Sequence, residues 1–151
     1  MRWELDINEK YEQTKITIRT PKQTDDITKL TTFIDQLSHT IPVQHNEQQT
    51  NIDIHSILYV ENVERTTFIY TKTEMYEDGR PLYEIEKLLA PFEFIRINKQ
   101  TVINPRYIQS VRALFNSRYE LLMTSAEKLI VTRHYRKDFK ELFEKGGLYD
   151  A

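Results

Sequence analysis

The sequence predicts a mainly β protein of the α+β class, in which a multi-stranded β domain carries an N-terminal β-α-β lobe. From Ile52 onward, short runs rich in Val, Ile, Thr, Tyr and Phe alternate with turn residues, a pattern typical of strands. The residues before it place one helical pattern between two strand-like segments. The chain has 151 residues, enough for one ordinary core and a small appended unit. We therefore assign residues 1–50 to the lobe and residues 51–151 to the β domain.

Each element of the lobe follows from a local pattern. Ile16 and Ile18 alternate with polar residues and predict a half-buried strand. Thr24 then offers a hydroxyl that can cap a helix, and two acidic residues occupy the first turn, where negative charge is stabilising. A second strand is predicted at residues 41–45. Four apolar residues recur at helical spacing and predict one buried helix face: Ile27, Leu30, Ile34 and Leu37.

The β domain is predicted from short apolar runs separated by turn signals. Pro81 begins a short helix that Pro91 ends, because proline suits a first helical turn and disfavours a helical residue before it. Asn116 and Ser117 join two strands in a tight hairpin. A terminal helix that turns Tyr135, Phe139, Leu142 and Phe143 to the core is expected to end at Gly146 and Gly147. The predicted strands are residues 57–60, 66–71, 94–98, 107–115, 118–124 and 128–132.

Composition argues against several classes of protein. The chain has no cysteine, which removes disulfides and thiolate sites, and it lacks both glycine-rich nucleotide-binding patterns. His39, His45 and His55 fall in three different predicted elements, so no metal site is expected. No nucleophile motif is present. We therefore expect neither an enzyme nor a cofactor, and the lack of a signal peptide or a long apolar run predicts a soluble, cytoplasmic protein.

Charge is distributed unequally along the chain. Residues 1–85 hold nine Lys and Arg against fifteen Asp and Glu, whereas residues 86–151 hold twelve against eight. The strongest bias lies between residues 94 and 136, where only Glu120 and Glu127 oppose eight basic residues. Such a field attracts phosphate, although a run of charge is commonly just a solvated face. The eight basic residues are Arg96, Lys99, Arg106, Arg112, Arg118, Lys128, Arg133 and Arg136.

The same region resembles the DNA-binding output domain known as LytTR. In that family a strand of the form F-x-R-x-(H/N/S)-(K/R/N)-S-x-x-(V/I)-N comes first, and a later strand ends in S-R-x-Y ahead of a short terminal helix. The segment at residues 57–71 is similar to the opening hairpin of the family. The resemblance covers about two thirds of the chain, from near Ile52 to the end. The matching residues are Phe94, Arg96, Asn98, Lys99, Asn104, Thr132, Arg133 and Tyr135.

The resemblance implies that loops, and not a recognition helix, contact DNA. Asn98, Lys99 and Gln100 form the loop that would enter a major groove, and their amide and ammonium groups suit base edges and phosphates. A second loop is the hairpin tip that carries Arg65 and Thr67. Without the resemblance, the first loop would be read as an ordinary exposed strand end.

A third group of candidates lies at the start of the terminal helix. Basic residues at the N-terminus of a helix interact unfavourably with the helix dipole. A phosphate or base nearby would explain why the sequence accepts this local cost. His134 stands where the family often has a second arginine, and an imidazole donates fewer hydrogen bonds than a guanidinium. The alternative is a solvated cationic turn. This group consists of Arg133, His134, Arg136 and Lys137.

The remaining candidates lie around the hairpin turn. Asn116 and Arg118 are expected to touch the DNA backbone, although a hairpin needs no ligand to explain such residues. Aromatic residues among basic ones could also form stacking platforms for single strands, but at β spacing aromatic residues are more often core. These aromatic residues are Phe94, Tyr107, Phe115 and Tyr119.

The sequence as a whole predicts a bacterial regulator of transcription that binds specific sites in double-stranded DNA. The resemblance implies a homodimer on paired half-sites and a small membrane protein as the inhibitor. The alternative class is a non-catalytic protein-interaction module whose basic surface is incidental. An RNA-binding role is a third option.

Overall fold

The computed structural model describes residues 1–145, apart from the side chains of residues 36–38 and 145. The expected helix end at Gly146 and Gly147, and the packing expected of Leu37, lie outside the described residues. The described chain has three α-helices: α1 (Asp25–Ser38), α2 (Leu82–Leu89) and α3 (Arg136–Lys145). Its ten strands are β1 (Thr40–His45), β2 (Gln48–Asp53), β3 (Ile57–Val63), β4 (Thr66–Thr71), β5 (Met75–Asp78), β6 (Ile95–Asn98), β7 (Thr101–Ile103), β8 (Ile108–Leu114), β9 (Arg118–Met123) and β10 (Lys128–Val131).

The strands form three antiparallel sheets. Five strands in the order β5-β4-β3-β7-β6 make the largest sheet, β10-β9-β8 make a second, and β1-β2 form a separate hairpin. Short antiparallel connections suit the closely spaced turn signals of the sequence. The mainly β class is therefore confirmed, as are all six strands predicted between residues 57 and 132.

Two apolar clusters cover the two faces of the five-stranded sheet. In β7, Val102 belongs to one cluster and its neighbour Ile103 to the other, because successive side chains of a strand point to opposite faces. The first cluster joins the sheet to α2 and to the β1-β2 hairpin. The second joins it to the three-stranded sheet and α3, where Phe139 and Phe143 are buried as predicted. Helix α3 is thereby packed against the β sheets through Phe139 and Phe143.

The N-terminal part of the chain differs from the prediction. Residues 14–20 form no strand, and Ile16 is 61% exposed, so the β-α-β arrangement is not found. The chain divides into one unit of Met1–Ile34 and a second that begins at Asp35. The β1-β2 hairpin thus belongs to the second unit, because Ile41 and Val43 are buried in its core.

Helix α1 begins as the sequence predicts but does not bury its apolar face. The amide of Ile27 donates to Thr24 Oγ1 over 3.4 Å, which places Thr24 at the expected cap. Ile27 and Leu30 are only half-buried, and Phe33 is 57% exposed. The spacing of apolar residues therefore predicted the helix but not what covers it.

Three strands escaped the sequence analysis: β2, β5 and β7. Strand β2 reads QQTNID, and only Ile52 in it is buried, so its extended form depends on pairing with β1. Strand β7 has three residues, all buried, between β3 and β6. Both owe their conformation to tertiary partners that a local pattern does not contain.

An ionic clip ties the β1-β2 hairpin to the end of β5. Arg80 Nη2 donates to Asp78 Oδ2 over 2.7 Å and to the Pro42 carbonyl oxygen over 2.8 Å. The rings of His45 in β1 and Tyr76 in β5 also meet edge to face, with their centres 5.1 Å apart. The hairpin consequently lies beside the outer strand of the five-stranded sheet.

Candidate nucleic-acid interface

Two turns that were predicted to contact DNA lie at the same end of the five-stranded sheet. Strand β3 is antiparallel to both β4 and β7, so the β3-β4 turn and the β6-β7 turn come together there. The amide of Asn62 donates to the Gln100 carbonyl oxygen over 2.8 Å and joins the two. Arg65, Lys99 and Gln100 are exposed, and we call these three residues the turn surface.

The β6-β7 turn is held from within by Arg96 and Asn98. The Arg96 guanidinium donates to the carbonyl oxygens of Asn98 and Lys99 and forms an ion pair with Glu86 over 3.2 Å. Asn98 Oδ1 accepts from the amide of Gln100 over 2.8 Å, and its Nδ2 donates to the Ile130 carbonyl oxygen over 2.9 Å. Asn98, predicted as a DNA contact, therefore positions the turn, while Lys99 and Gln100 project from it.

The β3-β4 turn presents one of its two predicted contacts. Glu64 and Arg65 have φ values of 49° and 71°, the left-handed pair that a two-residue hairpin turn of type I′ requires. Arg65 is exposed, whereas Thr67 is only 1% exposed and its hydroxyl accepts a hydrogen bond from Asn62. Thr67 thus lies inside the sheet and is not accessible to DNA, because its side chain points to the buried face.

A second surface forms where the β8-β9 turn meets the start of α3. Ser117 and four basic side chains line a concavity of about 360 Å³, and no acidic residue is among them. The amide of Thr132 donates to the Ile97 carbonyl oxygen over 3.0 Å, which anchors the chain leading into this region beside β6. We call this surface the basic concavity. Its basic residues are Arg133, Arg136, Lys137 and Lys140.

Arg136 is held in place by an aromatic ring. Its guanidinium carbon lies 5.1 Å from the centre of the Tyr119 ring, and Tyr119 is itself packed on Phe139. A cation over an aromatic face is stabilised by the ring quadrupole. The buried Nε of Arg136 has no hydrogen-bond partner within the described chain. Stacking on Tyr119 therefore positions Arg136, which is one of the residues that line the concavity.

The remaining predicted contacts flank this concavity. Arg118 and His134 are exposed, and the His134 ring lies edge to face with Tyr135 at 5.0 Å. Asn116 and Ser117 have φ values of 64° and 60° in the turn between β8 and β9. Lys140 was missed by the sequence analysis, although it follows Arg136 and Lys137 at the helical spacings i+4 and i+3 that place residues on one face of α3.

The four aromatic residues considered as stacking platforms do not share a surface. Phe94 and Tyr119 are buried, and the Tyr107 hydroxyl donates to the His55 carbonyl oxygen over 2.5 Å. Only Phe115 is fully presented to solvent, with 94% of its surface exposed. A platform of several stacked rings is therefore not formed here.

The described residues contain no cluster of three or more potential metal ligands. The structure does bring His39 and His55 together, with ring centres 5.2 Å apart, although the sequence analysis placed them in separate elements. Within residues 1–145, no helix is long and apolar enough to cross a membrane.

Comparison with known proteins identifies the family and the fold of this part of the chain. Residues 47–144 match the family model described as the LytTr DNA-binding domain, as the motif resemblance predicted. The solved LytTr DNA-binding domain of a putative methyl-accepting/DNA response regulator from Bacillus cereus has the same fold. Its TM-score is 0.64 at 20% identity, and the match covers 70% of this chain and 96% of that domain.

Curated relatives match over the same region. The chain is 33% identical over 105 residues to the sensory transduction protein LytR of Staphylococcus saprophyticus, covering 70% of this chain and 41% of that protein. It is 31% identical over 104 residues to the sensory transduction protein LytT of Bacillus subtilis, covering 69% of this chain and 43% of that protein. The chain thus spans about two fifths of the length of these relatives.

Proposed function

Because this chain belongs to the LytTr DNA-binding domain family, we propose that it is a transcriptional regulator that binds specific duplex DNA sites. The observation that carries the proposal is the basic concavity, in which four cationic side chains converge and no anionic residue lines the wall. Charges gathered in this way neutralise several neighbouring phosphates at once. The relative LytR of Staphylococcus aureus, which is 33% identical over 100 residues and is named a transcriptional regulatory protein, supports the regulatory role.

The two surfaces supply different kinds of contact. The basic concavity binds phosphates and provides most of the affinity, because each neutralised phosphate releases counterions. These contacts carry no sequence information. The turn surface enters a major groove, where Lys99 and Gln100 reach base edges and Arg65 contributes a further donor. Arg96 and Asn98 act as positioning residues, because their hydrogen bonds fix the turn before DNA arrives.

We further propose that the protein acts in the cytoplasm as a homodimer on paired half-sites. Two copies double the number of phosphate contacts and make affinity depend on the spacing of the half-sites. A small membrane protein is the proposed inhibitor, and this proposal rests on the resemblance to the family alone. The competing function is a protein-interaction module, in which the basic concavity plays no part in binding a nucleic acid.

The direct experiment measures binding of the full chain to a pool of random duplexes, followed by selection of the bound sequences. The four phosphate contacts at the basic concavity contribute about −3.6 to the slope of the log-log salt dependence, at about −0.9 for each contact, and a contact by Arg118 makes the slope steeper. Duplex RNA and single-stranded DNA of equal length serve as controls. Affinity for duplex DNA that does not change between low and moderate salt would contradict the proposal and favour the interaction module.

A further inference from the structure

The β8-β9 turn carries an aromatic side chain that is not part of either apolar cluster. Phe115 is the most exposed large apolar residue of the described chain, at 94%, and it belongs to neither apolar cluster. Single apolar residues on a surface are common and need no special explanation. The place of Phe115 in the chain, in addition to its exposure, makes it a candidate for contact with a ligand.

Phe115 lies in the β8-β9 turn, which contributes one residue to the lining of the basic concavity. Ser117, two residues further along the turn, lines that concavity together with the four basic side chains. Two extended residues span at most roughly 7 Å, so the backbone of Phe115 lies within that distance of a residue that lines the concavity. Arg118 follows directly and is exposed, and no acidic side chain occurs between residues 115 and 119.

We propose that Phe115 contacts duplex DNA, with its ring against sugars or thymine methyl groups beside the phosphates bound at the basic concavity. This inference rests on the proposed function. When the four cations bind phosphates, the adjacent wall of the groove comes against the turn. That wall is apolar at its sugars and at the thymine methyl groups. Contact with the ring removes apolar surface from water on both sides. A protein partner is less well matched, because the surroundings of the ring are cationic without an acidic counterpart.

The test compares salt dependence in Phe115→Ala and Lys140→Ala, each in the full chain. An apolar contact releases no counterions, so Phe115→Ala is expected to weaken duplex binding about tenfold while leaving the slope unchanged. Lys140→Ala is expected to reduce the magnitude of the slope by about 0.9. Phe115→Leu keeps an apolar side chain and should recover part of the affinity. Phe33→Ala, an exposed aromatic in the N-terminal unit, is the matched control and should bind as the wild type does.

Three results would overturn the inference, and they separate it from the proposed function. Wild-type affinity in Phe115→Ala, with a steep slope in both proteins, would remove the ring contact and leave the DNA-binding function standing. A reduced slope in Phe115→Ala would mean that the substitution displaces the turn, so that no apolar contact is needed. Failure of the wild-type protein to bind duplex DNA would contradict both proposals at once.

Discussion

Lys99 and Arg118 are both exposed basic residues, yet they sit in different surroundings. Lys99 projects from a turn whose carbonyl oxygens are already bound by Arg96, so its amine is presented from a fixed backbone. Arg118 begins β9 beside Ser117 and the basic concavity. The first location favours contact with base edges, and the second favours contact with phosphates.

Substitution of these residues by alanine should therefore have different effects. Lys99→Ala is expected to cost about 1 to 3 kcal/mol on the selected site and little on random duplex, because a base contact is lost. Arg118→Ala should weaken binding to both duplexes alike and reduce the salt slope. Arg133→Ala tests whether the basic concavity also reads bases, with the same pair of duplexes. Equal losses on selected and random DNA for Lys99→Ala would remove base readout from the turn surface.

The residue types at the interface could be predicted from the sequence, but their hydrogen bonds could not. Asn98 matches the family pattern, yet both ends of its amide are used to hold the β6-β7 turn. Thr67 was predicted to lie at a hairpin tip. The turn has only two residues, so strand β4 begins before Thr67 and the side chain of Thr67 is buried. Lys140 was missed because the helix face that meets the β8-β9 turn is set by tertiary packing.

At the scale of elements, strand β3 carries a carboxylate into the layer between two sheets. Glu61 follows Tyr59 on the face where Tyr59 and Tyr70 stack, with ring centres 4.4 Å apart. Burial, and then the charge of Glu127, raises the pKa of Glu61 above its ordinary value. The same burial raises the pKa of Tyr59 and of Tyr70. This layer therefore disfavours negative charge.

Glu61→Gln is expected to stabilise the protein at neutral pH. A carboxyl whose pKa is raised on folding contributes stability below its unfolded pKa, and that contribution is lost as pH rises through the folded pKa. Glutamine stays neutral, so the variant should gain up to about 1 kcal/mol at pH 7, a small value because the group is partly exposed to solvent. Urea unfolding at pH 7 and pH 4 measures the change, with Glu64→Gln in the exposed turn as control.

The gain should disappear near pH 4, where both proteins carry a neutral side chain at this position. A gain of equal size at both pH values would show that packing, and not ionisation, distinguishes the variant. Equal gains in Glu61→Gln and Glu64→Gln at pH 7 would point instead to net charge.

Elements with their own apolar pattern were predicted from the sequence, and elements that depend on partners were not. Strands β3, β4, β6, β8, β9 and β10 carry Val, Ile, Leu or aromatic residues at strand spacing, and each was predicted. Strand β2 is polar, and it was missed. Ile16 and Ile18 have the alternation of a strand but no neighbouring strand to pair with, so the local pattern alone was insufficient.

At the scale of the whole molecule, the boundary between the two units can be tested by truncation. Removal of residues 1–34 deletes the first unit and leaves every buried residue of both apolar clusters. Removal of residues 1–50 also takes away Ile41 and Val43, which are 3% and 2% exposed. Loss of two such side chains from a core is destabilising by several kcal/mol.

The shorter truncation is therefore expected to melt cooperatively and to bind duplex DNA with nearly the affinity of the full chain. The longer one should unfold at a lower temperature or fail to fold. We would measure thermal melting, DNA binding and sedimentation of the full chain and of the two truncated proteins. If removal of residues 1–34 abolishes DNA binding in a folded protein, the first unit is part of the DNA-reading surface. Unequal sedimentation with equal DNA affinity would assign that unit to self-association.

The ionic clip at Arg80 has a consequence for solubility. Strand β5 ends the five-stranded sheet, and an outermost strand offers unpaired backbone groups on which another chain can add and begin an aggregate. The β1-β2 hairpin, tethered through the Pro42 carbonyl oxygen, occupies the space beside that strand. The contact that fastens the small hairpin therefore also covers the β5 edge of the sheet against the addition of a strand from another chain.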